Sequence, residues 1–154
     1  MANLLPVFYM LWSVSIDNTK LCNETNGRNG NETWIGAGES VAFSSPNFPS
    51  SYGSDAKDWV FCADDPDGRL EIDCTEFEVG WKFFFCFSDL LLVSADSSLE
   101  FMYCGADGPQ SVITTGRGTA VCLIPSGANN FKGFNCTATA LPPSPDAQTT
   151  TAAN

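Results

Sequence analysis

Apolar and polar positions in this chain alternate in short runs broken by Gly, Pro, Asn, Asp and Ser, a pattern that predicts strands joined by turns. The clearest run is 70–74. Leu70, Ile72 and Cys74 fall on one face and Arg69, Glu71 and Asp73 on the other, the inside-outside alternation of a sandwich strand. Phe77 and Val79 extend its apolar set. Ser40–Ser44 alternates in the same way, and further strands are expected at Trp59–Ala63, Ser111–Thr115, Thr119–Ile124 and Phe134–Ala140. Asp64-Asp65-Pro66-Asp67-Gly68 supplies the turn between the strands at 59–63 and 70–74. No helical period of useful length and no internal repeat interrupts this pattern, so the expected fold class is all-β.

The centre of the pattern lies between Cys86 and Gly105. An apolar run, Leu90–Val93, is followed by the small and acidic cluster Ala95–Ser98 and a second apolar run, Leu99–Tyr103, which predicts two strands and a tight reversal. A disulfide between Cys86 and Cys104 would close this hairpin, contributing on the order of 3 kcal/mol by restricting the unfolded chain. On this reading the central bridge outweighs anything at Cys22, which stands in a polar segment near one end. Just before the hairpin, Trp81 and Phe83–Phe87 form a dense aromatic cluster, expected to be core.

Composition changes the picture in two ways. The 154 residues hold seven cysteines, no histidine and a formal charge of −11: room for one domain with tails, in an oxidising compartment. Without histidine there is no Ser-His-Asp triad and no His-containing zinc site. The carboxylates Glu71, Asp73, Glu76 and Glu78 read as a solvated strand face, where exposed acids do no chemistry. Gly116-Arg117-Gly118 reads as a plain turn, since it lacks the strand-loop-helix setting of a phosphate site. The chain is therefore expected not to be an enzyme. With seven Lys and Arg against eighteen Asp and Glu, binding to nucleic acid or anionic lipid is also disfavoured, and a basic partner surface suits it better.

The ends read differently from the middle. Leu4–Ile16 is almost wholly apolar, too short for a membrane span and the right length for a signal-peptide core, with cleavage expected after Ser15. A buried strand of the mature domain is the alternative. Residues 16–21 form a short lead-in. The segment 18–38 is polar and rich in Asn and Gly, with sequons at Asn23 and Asn31; a third lies at Asn135. Secretion to the extracellular space and N-glycosylation are expected. Residues 141–154 are mostly Pro, Ser, Thr and Ala with one acid, a linker or stalk.

Four motifs, in order along the chain, resemble the signature of CUB domains, which are extracellular β-sandwich modules. They are Ser45-Pro46-Asn47-Phe48-Pro49 with Tyr52; Trp59; Cys86-x-x-Asp89-x-Leu91-x-Val93 with Tyr103-Cys104-Gly105; and Gly133-Phe134. Ser88 stands where the family usually has an aromatic. The resemblance covers residues 22–140 and implies an antiparallel β-sandwich, a CUB or spermadhesin-like jelly roll, stapled by disulfides. It also implies that Cys74 bonds Cys136. A local argument offers a rival, because Cys122 and Cys136 flank the loop Pro125–Lys132 and would face each other across a hairpin. The family's first bridge would join Cys22 to a cysteine two residues before Trp59. Position 57 is Lys and the nearest cysteine, Cys62, lies beyond the tryptophan, so the pairing of Cys22, Cys62 and Cys122 stays open.

Many CUB domains hold a calcium ion with three carboxylates. Of those positions only Asp89 is acidic here; Gly80 and Gly127 stand at the other two, and both glycines are expected to leave their loops freer. One carboxylate is too few for a hard dication, so no cofactor is expected and Asp89 is a weak metal candidate. Its plainer role is hydrogen bonding at a strand start. As exposed acids, Asp89 and Asp107 would also be weak candidates for partner contact. The resemblance implies a non-catalytic extracellular interaction module for protein or glycan partners, the N-terminal targeting part of a modular secreted protein such as a CUB-serine protease. A stand-alone spermadhesin-like protein is the alternative.

Overall fold

The structure, a computed structural model, describes residues 21–22, 31–94, 100–127 and 130–145. The expected leader, Asn23, the turn 95–98 and the tail from 146 lie outside them. Among the described residues nine strands follow in order: β1 (Glu32–Ile35), β2 (Ser40–Ser44), β3 (Lys57–Ala63), β4 (Arg69–Glu78), β5 (Leu90–Ser94), β6 (Glu100–Tyr103), β7 (Val112–Ile113), β8 (Gly118–Ile124) and β9 (Gly133–Leu141). They form two sheets, β1-β3-β8-β5-β6 and β2-β9-β4-β7. Every pairing is antiparallel except β1 with β3. The arrangement is the expected β-sandwich.

The core lies between the sheets. Leu70 and Ile72 of β4 and Phe134, Cys136 and Ala138 of β9 meet Leu91, Val93, Val121 and Leu123 from the opposite sheet. Aromatic rings fill its middle: Phe43 lies 4.8 Å from Phe61 and 5.9 Å from Phe134, and Trp59 lies 5.5 Å from Phe134, centroid to centroid. Such offset and edge-on pairs suit the ring quadrupole and bury large apolar area.

In β4 the apolar positions change parity, from 70 and 72 to 77 and 79. The ladder shows why: Cys74 faces Cys136 and Glu76 faces Asn135, so Thr75 is an extra residue. This bulge returns Phe77 and Val79 to the core side.

Two expected elements differ. The polar segment 18–38 contains strand β1, whose Ile35 is buried and whose Trp34 lies 5.0 Å under the guanidinium carbon of Arg117. Arg117 also donates to Ala63 O and Asp64 O, each at 2.9 Å, so the Gly116-Arg117-Gly118 turn secures the end of β3. The strand expected over Ser111–Thr115 shortens to Val112–Ile113, because Thr114 turns inward. Its hydroxyl accepts from Leu70 N at 2.8 Å and donates to Gly116 O at 2.6 Å.

Three disulfides join Cys22 to Cys62, Cys74 to Cys136 and Cys86 to Cys104. Cys122, the free cysteine among the described residues, is buried on β8. The Cys122–Cys136 alternative does not occur, since Cys136 faces Cys74 directly across β4 and β9. Burial pushes the Cys122 thiol up to about 12, with nearby Asp58 adding to the effect, which keeps it protonated and unreactive at neutral pH.

Candidate interaction site

Two of the sequence motifs meet at one end of the sandwich. The Ser-Pro-Asn-Phe-Pro turn docks onto the start of β9, with Ser45 N donating to Phe134 O at 3.1 Å and Ser45 Oγ accepting from Phe134 N at 3.0 Å. Gly133, at φ +84°, permits this approach: a Cβ there would lie 1.8 Å from Ser45 Oγ. The docked turn delivers Tyr52, 2% exposed, to Asp89.

Asp89 is 1% exposed and sits immediately before β5. Its Oδ2 accepts from the Tyr52 hydroxyl. Its Oδ1 accepts from Ser126 N at 2.8 Å and Ser126 Oγ at 2.7 Å. The residue therefore knits together the turn after β2, the entry to β5 and the loop after β8. Burial first, and the Asp89 carboxylate second, raise the Tyr52 phenol well above its usual range, so it remains a donor. At 1% exposure, with both oxygens already accepting hydrogen bonds, Asp89 is not the exposed acid expected for partner contact.

Gly80 also departs from expectation. It is buried, at φ +62°, and a Cβ would lie 2.5 Å from Asp89 O and 2.8 Å from Asp89 N. The glycine is needed for close backbone approach rather than for freedom. At Gly127, at φ +147°, an added Cβ would meet open space. This bears on calcium. Both oxygens of the Asp89 carboxylate already accept hydrogen bonds, position 80 has no space for an acid, and no group of three or more His, Cys, Asp or Glu among the described residues could hold a metal. The donor set present does not fit a calcium ion, which wants six to eight oxygens.

Above this network opens a pocket of about 440 Å³, lined by Glu78, Trp81, Asp89, Ser126 and Phe131 among others. Trp81 and Phe131 stand edge to face at 5.3 Å and form an aromatic wall. Glu78, one of its lining residues, is exposed. The other acids read as a solvated face are dispersed: Asp73 Oδ1 accepts from Ser111 N at 3.0 Å, and Glu76 pairs with Lys132 at 3.1 Å. Asp107 is exposed and pairs with Lys82 at 2.6 Å.

The aromatic cluster expected in the core is on the surface. Trp81 is 70% exposed, Phe83 73%, Phe84 84%, Phe85 62% and Phe87 56%. The chain leaves β4 after Glu78 and does not enter β5 until Leu90, and between them Lys82 bridges Cys86 in a small projecting hairpin. The Cys86–Cys104 bond ties its returning arm to buried Cys104. Sequence pattern offered no signal for this, since a run of aromatics reads alike in a core and on a projection.

Of the sequons within the described residues, Asn31 is exposed just before β1, whereas Asn135 is half-buried within β9 beside bonded Cys136. No helix among the described residues is long and apolar enough to cross a membrane.

No family model and no curated protein matches the sequence. Solved structures do. The CUB1-EGF-CUB2 domains of rat MASP-1 superpose with a TM-score of 0.63 at 18% identity, covering 76% of this chain and 45% of that one. The same region of human MASP-1/3 gives 0.62 at 14% identity, covering 70% and 41%. The MASP-1 CUB2 domain bound to Ca2+ gives 0.59 at 15% identity, covering 72% and 98%. This chain thus spans less than half the length of the first two. At such identities the likeness is one of fold, and it agrees with the four motifs: this chain has the fold of a CUB domain.

Proposed function

We propose that this chain is a non-catalytic extracellular interaction module that takes a lysine or arginine side chain of a protein partner into the pocket beside Asp89. The observation that carries this reading is the pairing of an exposed carboxylate, Glu78, with the aromatic wall of Trp81 and Phe131 in one concave site. The methylene stem packs on the rings, the cationic head faces Glu78, and cation–π attraction adds to the contact. The chain's charge of −11 steers a basic partner toward it. No metal ion takes part.

Titration of the labelled domain with Nα-acetyl-lysinamide and Nα-acetyl-argininamide, followed by NMR, tests the reading. Shifts are expected at Glu78, Trp81 and Phe131, with millimolar affinity that weakens with salt, falls several-fold in Glu78→Gln and is unchanged by chelator. Equal binding of Nα-acetyl-norleucinamide, or shifts spread evenly over the acidic surface, would overturn it.

The wider setting follows from the same properties. Three disulfides suit an oxidising compartment, and the expected leader supports secretion. The Pro- and Thr-rich tail suits a module placed ahead of another domain, such as a protease; a stand-alone binding protein is the alternative. Asn31, exposed before β1, is the best-placed sugar acceptor among the described residues. Asn31→Gln is expected to remove one enzymatically releasable N-glycan from the secreted protein, seen as a drop in apparent mass, whereas Asn135→Gln leaves the mass unchanged. A loss at Asn135 and none at Asn31 would reverse that assignment.

A further inference from the structure

We propose that the hairpin Trp81–Phe87 is a membrane-contacting finger that inserts Phe83, Phe84 and Phe85 into a zwitterionic phospholipid surface. Five aromatic side chains, each more than half exposed, present on the order of 700 Å² of largely apolar area, given the size of such side chains. Patches on monomeric soluble proteins seldom exceed 300–600 Å², and larger ones mark protein or membrane contacts.

The hairpin's chemistry favours lipid over a protein groove. Its tip bears only phenylalanine, with ring pairs at 4.5 Å (Phe83–Phe84) and, beside it, 4.0 Å (Phe85–Phe87). No tip side chain offers the polar contacts that give a protein interface its register, whereas a lipid surface requires none. Two backbone bonds across the hairpin, Phe83 N to Phe85 O and Phe87 N to Trp81 O, both 3.4 Å, reduce the polar cost of entering an apolar phase. Polarity is graded along the hairpin. Trp81 and Lys82 stand at its base, residue types that settle at the membrane–water interface, and the Lys82 charge is balanced by Asp107. The Cys86–Cys104 bond holds the hairpin in place, so little ordering is needed on contact.

Charge then selects the lipid. Glu78 and Asp107 flank the hairpin and the whole chain carries −11, which repels an anionic bilayer and leaves a neutral headgroup layer as the fitting surface. The same repulsion opposes pairing of hairpins from two copies.

Flotation of the purified protein with phosphatidylcholine vesicles is the test, alongside a Phe83→Ser/Phe84→Ser/Phe85→Ser variant. These side chains are 62–84% exposed, so the variant should melt as the parent does and should still bind Nα-acetyl-lysinamide. The parent is expected to float, the variant to lose at least tenfold in partitioning, and added phosphatidylserine to weaken parent binding at low salt. Lipid from brominated phosphatidylcholine should quench Trp81 fluorescence in the parent. Failure of the parent to float, flotation retained by the variant, or a preference for phosphatidylserine would overturn the proposal; in the first case the hairpin is a protein-docking surface. Lysinamide binding relies on Glu78, not on the tip, so the pocket reading stands or falls separately.

Discussion

Asp89→Ala is expected to lower the stability of the domain by about 3 kcal/mol, and its melting temperature by roughly 10 °C. The side chain is 1% exposed and accepts from three donors, Tyr52 Oη, Ser126 N and Ser126 Oγ. Alanine leaves these facing a cavity that was built for a carboxylate, and a buried donor without a partner costs about 1–3 kcal/mol. Asp89→Asn should cost less, about 2 kcal/mol, because its amide oxygen can keep Ser126 while its NH2 turns toward the Tyr52 hydroxyl. Tyr52→Phe removes one of the orphaned donors. The double variant Tyr52→Phe/Asp89→Ala should therefore be less damaged than the sum of the singles, by about 1 kcal/mol. Thermal and denaturant melts of the parent and these four variants measure this. Strict additivity would mean that Tyr52 and Asp89 do not depend on each other.

What could be read from the sequence was what one strand face reveals. In β4 the polar partners Arg69, Glu71 and Asp73 expose the period, so the strand and its buried face were both evident. In β5 every residue from Leu90 to Ser94 is buried, so the apolar run located the strand without showing which side chains point into the core. Strand β1 is hidden in the sequence because its one buried residue, Ile35, sits at the end of a segment rich in Asn and Gly. Trp34 beside it was the available signal, and its partner Arg117 is remote in sequence. The sequence pattern misplaces the aromatic cluster for a related reason. Trp81 and Phe83–Phe87 have no alternating polar residues, and composition alone assigns such a run to the interior. What puts it outside is the gap between β4 and β5, pinned at one end by Gly80 against the Asp89 backbone and at the other by Cys86 on Cys104. Asp89 itself stood out as a residue, but not its environment. Tyr52 and Ser126 each lie 37 residues away along the chain, and only the packing of three loops brings them together.

The order in which the disulfides matter is expected to differ from the order suggested by sequence. With Cys22 seen as part of a polar end segment, the Cys86–Cys104 bridge looked dominant. In the structure Cys22 is 3% exposed and bonded to Cys62, with Leu21 and Cys22 packed against Gly118. The bridges span 18 residues (Cys86–Cys104), 40 (Cys22–Cys62) and 62 (Cys74–Cys136). Restricting the unfolded chain through these loops contributes about 3, 4 and 4 kcal/mol respectively. Local surroundings separate the last two. Cys136 is 1% exposed within the main core, and the bond joins the two strands at the centre of their sheet, just before the Thr75 bulge. Truncation there adds a cavity to the lost constraint. Cys74→Ala/Cys136→Ala is therefore expected to cost the most, at least 4 kcal/mol, with melting lowered by roughly 15 °C or folding lost. Cys22→Ala/Cys62→Ala should follow, and Cys86→Ala/Cys104→Ala should cost least, because the hairpin that it anchors is largely solvent-exposed. Melts of the three pair variants under identical conditions decide the order. If the Cys86/Cys104 variant proves the least stable, the aromatic hairpin supports the sandwich and is not merely a projection from it.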